Sequence, residues 1–331
     1  MTRAHIVDVA TWFPPTVRST AEAEARLAAE NPGMKIPTSL IGRMTGVEQV
    51  YVADDETQAS DLAASAARAL PGGYDDVDLL IFSSATQDLI EPATAHIVAA
   101  KLDLKVPVFD VKNACNSVLN ALEIADAFIR AGMYQKILIV SGEKPSVATR
   151  WRLDRAEDFV RSFPGYTMGD AGAALVVAAG DDSAGIIGAG MLARSDNWRV
   201  GTVASGGTLD PSAEFGRWFD IDGVALHAVF KSIPKQPVQQ LIARSGVDPR
   251  QAEFVAVHQV ALPYLKFTRK MLGITAEQMI LTLPDHGNIA SVTLPRQIEL
   301  ARQQGRTRPG AEALLVGLAG GVSVGIMGVR W

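Results

Sequence analysis

The 331-residue chain uses cysteine once, at Cys115, so it can form no internal disulfide, and nothing in it points to an oxidising compartment. A strong excess of one sign of charge is also lacking. The net charge of −5 argues against a nucleic-acid binder, which usually presents a basic face. No apolar run reaches the ~18–20 residues that a membrane span needs. "AEALLVGLAGGVSVGIMGVRW" comes nearest, but Gly317, Gly320, Gly321, Gly325 and Gly328 suit strands and turns better. The opening "MTRAHIVDVATWFPP" is too short in its apolar run, and too soon broken by Pro14 and Pro15, for a signal peptide. There is no Cys/His cluster for a metal, and no G-x-G-x-x-G or P-loop follows a strand. With 48% hydrophobic and 20% charged residues the chain has material for a sizeable core. A soluble cytoplasmic enzyme, with no nucleic-acid or membrane partner, is the expectation.

Short apolar runs alternate with helical patterns. "VDLLIFSSA", "VPVFDVKNA", "QKILIVSGE" and "GAALVVAAG" read as strands, with helices at "TAHIVAAKLDL" and "SVLNALEIADAFIRAG" between them. The second half follows the same plan. "AEFVAVHQ" is a strand ending at His258, "LPYLKFTRKMLGI" a helix, "DHGNIASVTLPRQIELARQQG" a loop and helix, and "EALLVGLAGG" and "SVGIMGVRW" two more strands. The alternation predicts an α/β fold. Cys115 stands 17 residues before Gly132, and Asn288 stands 17 residues before Gly305; strands follow both glycines. The matched order suggests a duplication, with halves at 1–180 and 181–331; chance agreement between generic α/β units is the alternative. If the halves pack about a pseudo-two-fold axis, Cys115 and Asn288 face one another across the interface, where ligand sites commonly form. His258 ends a neighbouring strand.

Those three residue types can perform covalent acyl transfer. A cysteine at a helix N-terminus is expected to have a lowered pKa and a larger thiolate fraction. A nearby histidine can shuttle protons, and an asparagine amide can donate to a carbonyl oxygen. A thioester would acylate Cys115, and a second substrate would take the acyl group. A buried, inert cysteine is the bland alternative, and the commoner one for a lone cysteine.

The segments carrying these residues resemble the thiolase superfamily, within it the 3-oxoacyl-ACP synthase III (ketoacyl synthase III) branch. "TGVEQVYVADDETQASDLAASAARAL" is similar to the family's T-G-I segment and the helix after it. "FDVKNACNSVLNAL" is similar to D-V-x-x-A-C-x-G-F-x-x-A-L, and "MGDAGAALVV" to F-G-D-G-A-G-A-V-V. "VAVHQVA" is similar to V-P-H-Q-A-N, and "HGNIASVTLP" to Y-G-N-T-S-S-A-S-I-P. The match runs nearly the whole chain. It implies a five-layered αβαβα fold built from two duplicated halves, usually a homodimer. It also implies Cys115 as nucleophile, with His258 and Asn288 as its catalytic partners.

The chain departs from the family around that triad. Leu40 and Met44 stand where condensing members have a Trp and an Arg that clamp coenzyme A, with Arg43 one position off. Ala261 replaces the second asparagine of H-Q-A-N, and Pro263 an arginine after it. Leu318, near Gly320 in the glycine-rich C-terminal segment, replaces a phenylalanine associated with decarboxylation. Ser117 replaces the glycine two residues after the nucleophile. Ser117, Ala261, Leu318 and Gly320 are therefore candidate substrate-binding positions. These departures favour an acyltransferase offshoot, delivering an acyl group to the hydroxyl or amine of a small-molecule acceptor in secondary metabolism. Decarboxylative condensation with a malonyl thioester is the alternative, and a non-catalytic partner subunit a third.

The donor would be an acyl thioester of an acidic acyl carrier protein or of coenzyme A, with no permanently bound cofactor. Arg43, Arg150, Arg152 and Arg269, with Lys266 and Lys270, could steer a carrier protein. The loop holding Arg150 and Arg152 also carries Asp154, Glu157 and Asp158, so a solvated, self-neutralised loop is the alternative. Trp151 could line the substrate mouth or simply pack. His96, His227 and His286 read as structural or exposed, with His286 notable for its closeness to Asn288.

Overall fold

The computed structural model describes residues 2–212 and 216–331. Its two main sheets are both mixed. The first runs in the order Arg3–Trp12, Ala171–Gly180, Lys136–Glu143, Leu79–Ser83, Val108–Val111. The last three strands are parallel, and the first two are antiparallel to their neighbours. The second sheet runs Gly185–Ala193, Ser323–Arg330, Glu312–Ala319, Phe254–Val257, with only its last pair parallel. A single parallel bridge from Val255 to Met279 continues it, where the first sheet has Val108–Val111. The second sheet thus repeats the strand order of the first, with its last strand reduced to one bridge.

The strands are apolar at successive positions because both faces of each sheet are covered. In the Lys136–Glu143 strand, Ile137 and Ile139 face a central layer, while Leu138 and Val140 face outward. The central layer holds the helices Ser117–Arg130 and Thr293–Gln303, whose buried sides supply Val118, Leu122, Leu294 and Ile298. Helices Ala59–Arg68 and Thr94–Lys101 cover the outer face of the first sheet. Helices Lys235–Ser245 and Leu262–Leu272 cover that of the second. The result is the expected five-layered αβαβα architecture.

Each predicted strand and helix is present within a few residues. Strands Arg3–Trp12 and Gly185–Ala193 and helices Gly223–Ser232 and Lys235–Ser245 are additions that the sequence patterns did not announce. The two central helices differ in length, 14 residues against 11. Each is preceded by an alanine with positive φ, Ala114 at 47° and Ala290 at 45°. Counted from those alanines, the counterpart of Cys115 is Ser291; counted from the closing Gly132 and Gly305 it is Asn288. The sequence register therefore holds at the helix ends and slips by three residues at their starts.

Candidate active site

Cys115 sits at the corner between the Val108–Val111 strand and the Ser117–Arg130 helix. The corner is locked by Ser117, whose Oγ accepts from the Asn113 amide (2.9 Å) and donates to the Ala114 carbonyl (2.7 Å). The neighbouring Asn116 is fully buried and donates its Nδ2 to Ser323 Oγ at 2.8 Å, tying the corner to the second half. A Cβ on Gly317 would lie 2.0 Å from Asn116 Oδ1, so this strand must carry glycine beneath the corner.

His258 follows the Phe254–Val257 strand and is buried, with its amide on the Val316 carbonyl at 2.9 Å. The next residue, Gln259, fastens the chain here. Its Oε1 accepts from the Thr282 and Leu283 amides, and its Nε2 donates to the Ile280 carbonyl. Asn288 is held by backbone bonds to Thr167 (2.9 Å) and Gly169 (3.1 Å). Its Oδ1 accepts from the Ala290 amide at 3.0 Å. The side-chain oxygen is thereby occupied, and Nδ2 is left to donate to a substrate oxygen.

Cys115, His258 and Asn288 line one cavity of about 1150 Å³ between the halves. Its wall is mainly apolar, with Leu89, Phe159, Phe219 and Phe230 among the larger side chains. Burial, reinforced by the Glu143 carboxylate, pushes the Cys115 thiol up to about 12, although the residue is only half-buried in accessible surface. Burial pushes His258 down to about 4. The expectation of a lowered thiol pKa is therefore corrected: a low-dielectric cavity and a neighbouring carboxyl outweigh the partial charge of one helix end. At neutral pH the pair rests as thiol and neutral imidazole, a state in which His258 can accept the thiol proton as Sγ attacks.

Ala261, Leu318 and Gly320 also line the cavity. Ser117 does not; it braces the corner that carries Cys115. Trp151 does not either. Its ring packs on Tyr166 and lies under the guanidinium groups of Arg18 (4.8 Å) and Arg26 (4.2 Å) in a separate cluster. Arg150 is engaged with Asp154 and Asp158, as in the self-neutralised reading of that loop. Arg43, Arg152 and Arg269 are exposed, and Arg43 Nε donates to the Ser39 carbonyl at 3.1 Å. His286 is buried against Phe13 and Tyr51, with Nδ1 on the Thr282 carbonyl, outside the cavity. His96 is exposed.

His227 lies on the cavity wall instead, edge-on to Tyr264, on a helix that the sequence patterns did not announce. Glu143, Lys112 and Arg217 are further wall residues that the sequence reading missed. Only the position of Glu143 at the end of a buried strand hinted at it. Among the described residues, no group of three His, Cys, Asp or Glu side chains could hold a metal ion, and no helix is long and apolar enough to cross a membrane.

The layered fold and the cysteine–histidine–asparagine cavity place this chain among the thiolase-fold enzymes. Two family models match it: 3-oxoacyl-[acyl-carrier-protein] synthase III over residues 109–195, and the C-terminal part of the same family over residues 242–331. A β-ketoacyl-[acyl-carrier-protein] synthase III of Bordetella petrii is 30% identical, over 98% of this chain and 97% of that protein. The chain belongs to the 3-oxoacyl-ACP synthase III family. Among solved structures, FabH of Pseudomonas aeruginosa superposes with a TM-score of 0.84 at 24% identity, covering 99% of this chain and 98% of the other. OleA of Xanthomonas campestris, crystallised with lauric acid and lauroyl-CoA, reaches 0.87 at 24% identity, covering 99% of each chain.

Proposed function

We propose that this enzyme carries an acyl group as a thioester on Cys115 and transfers it to the hydroxyl or amine of a small acceptor. The single observation that carries the reading is the placement of Cys115, His258 and Asn288 on the wall of one large apolar cavity. At about 1150 Å³ it exceeds the ~300–1,000 Å³ of typical small-molecule pockets, leaving room for an acyl chain together with a second substrate. In the loading step Cys115 Sγ attacks the thioester carbonyl, His258 takes the thiol proton, and the donor's carbon–sulfur bond breaks as the proton passes to the departing thiol. Asn288 Nδ2 donates to the carbonyl oxygen as negative charge gathers there. In the second step His258 accepts the acceptor's proton as its oxygen or nitrogen attacks, and returns it to Sγ.

Leu318 on the cavity wall supports transfer over condensation, given the aromatic residue that condensing relatives are expected to hold there. Decarboxylative condensation remains the second reading, supported by the name of the Bordetella relative. The donor is an acyl-ACP or acyl-CoA, and the exposed Arg43, Arg152 and Arg269 suit an acidic carrier protein. A cytoplasmic homodimer in secondary metabolism, with no permanently bound cofactor, completes the reading.

Intact-mass spectrometry after incubation with acyl-ACP and acyl-CoA tests it. The wild type is expected to gain one acyl mass, and C115A none. No gain in the wild type overturns the enzyme reading. Labelled carbon dioxide released from a malonyl thioester in step with product formation overturns the transfer reading in favour of condensation.

A further inference from the structure

Glu143 ends a central strand of the first sheet, is fully buried, and lines the cavity beside Cys115, yet the acyl-transfer steps do not use it. Its Oε1 accepts from the Ala85 amide (2.9 Å), the Ser291 amide (3.4 Å) and the Ser291 hydroxyl. Its Oε2 meets Thr86 Oγ1 at 3.2 Å. Ser291 also meets Ser141 Oγ at 2.7 Å, so two adjacent strand-end side chains of the first half hold one serine of the second. That serine is the structural counterpart of Cys115. It directly follows Ala290, whose amide fixes Asn288 Oδ1 at 3.0 Å and whose positive φ turns the corner. One carboxyl thus touches the wall beside the nucleophile and the loop that orients Asn288.

We propose that Glu143 is a positioning residue: through Ser291 it sets the direction of the Asn288 amide, and from the same cavity wall its carboxylate acts on the Cys115 thiol. Cys115 and His258 share the cavity wall, with Asp88 and Lys112 also on it. The cavity wall also carries His227, Tyr264 and Arg217. Asp170 is turned to Ala53 and Ser146, and the Lys144 ammonium donates to the Asp54 and Thr57 carbonyls. Burial raises the Glu143 pKa, so carboxyl and thiol compete to remain protonated in one low-dielectric space.

Two variants separate this from a purely structural role. E143Q preserves the shape and the Oε1 acceptor but removes the charge. The pH profile of Cys115 alkylation by iodoacetamide, read by intact mass, is expected to move to lower pH than in the wild type. S291A leaves the charge and removes the hydroxyl bridge to the loop that holds Asn288. Its acyl-transfer kcat is expected to fall roughly tenfold with KM little changed, as for loss of one hydrogen bond. In an N288A background the same change should cost almost nothing further. An E143Q alkylation profile that overlays the wild type, or S291A and N288A losses that add in full, overturns the proposal. The kinetic arm rests on the acyl-transfer reading. The alkylation arm does not, so the two can fail separately.

Discussion

His258 and His286 are both buried, and desolvation pushes each imidazole down to about 4; Arg296 adds to the effect at His286. In the unfolded chain both titrate near 6.5. As pH falls below that value the unfolded state takes up protons that the folded state refuses. Stability is therefore complete above about pH 6.5 and is lost progressively towards pH 4, by an amount of the order of 3 kcal/mol per histidine. His258 belongs to the proposed catalytic set, so His286, outside the cavity, is the cleaner probe. It accepts no catalytic duty, and Asn in its place can still donate to the Thr282 carbonyl. Thermal unfolding recorded between pH 7 and pH 4 should show a shallower fall for H286N than for the wild type. Parallel curves would mean that His286 is protonated in the folded protein after all.

The helices of the outer layers lie on strands through glycines, and this decides how closely helix and sheet approach. A Cβ on Gly172 would stand 2.0 Å from the Leu62 carbonyl oxygen, and one on Gly142 1.8 Å from that of Ala59, both in the Ala59–Arg68 helix. Gly188 and Gly328 hold the same relation to Arg244 and Ser245 of the Lys235–Ser245 helix. G172A forces backbone apart from backbone, so it is expected to destabilise by about 1–3 kcal/mol or more, whereas G33A, with open space around its Cβ, should leave the melting temperature near wild type. The same packing explains what the sequence hid. Leu79–Ser83 and Glu312–Ala319 were legible because both their faces are buried and they read as unbroken apolar runs. Gly185–Ala193 was not, because its glycines answer to a helix some fifty residues on and imitate a loop. The segments carrying Cys115, His258 and Asn288 stood out locally, and the fold brings the three to one cavity. Trp151 packs, one of its two readings, and the choice was hidden because its partners, Arg18 and Arg26, lie far away in sequence; Glu143 was missed because its partner Ser291 does too.

The two halves share their central layer: one apolar core takes side chains from both sheets and both central helices. The cavity is equally joint, with Cys115 and Glu143 from the first half and His258, Asn288 and Leu318 from the second. Neither half buries its sheet without the other, so the site exists only in the assembled molecule. Apolar side chains are exposed at the rim of the cavity. Leu89 and Ile90 stand 52% and 70% exposed at one side of the cavity, beside Gly206, and Val224 is 79% exposed on its wall. Grouped apolar exposure of this kind marks an interaction surface more often than a solvated one. A second copy of the chain is the occupant that the homodimer reading supplies. Light scattering coupled to size exclusion should therefore give twice the 35.2 kDa chain mass at micromolar concentration. The double substitution L89D with I90D should bring it to the mass of one chain while leaving the circular dichroism spectrum unchanged, because those side chains lie outside the buried core. A wild type that elutes as a single chain would remove the second copy from this surface and leave its apolar rim to the substrates.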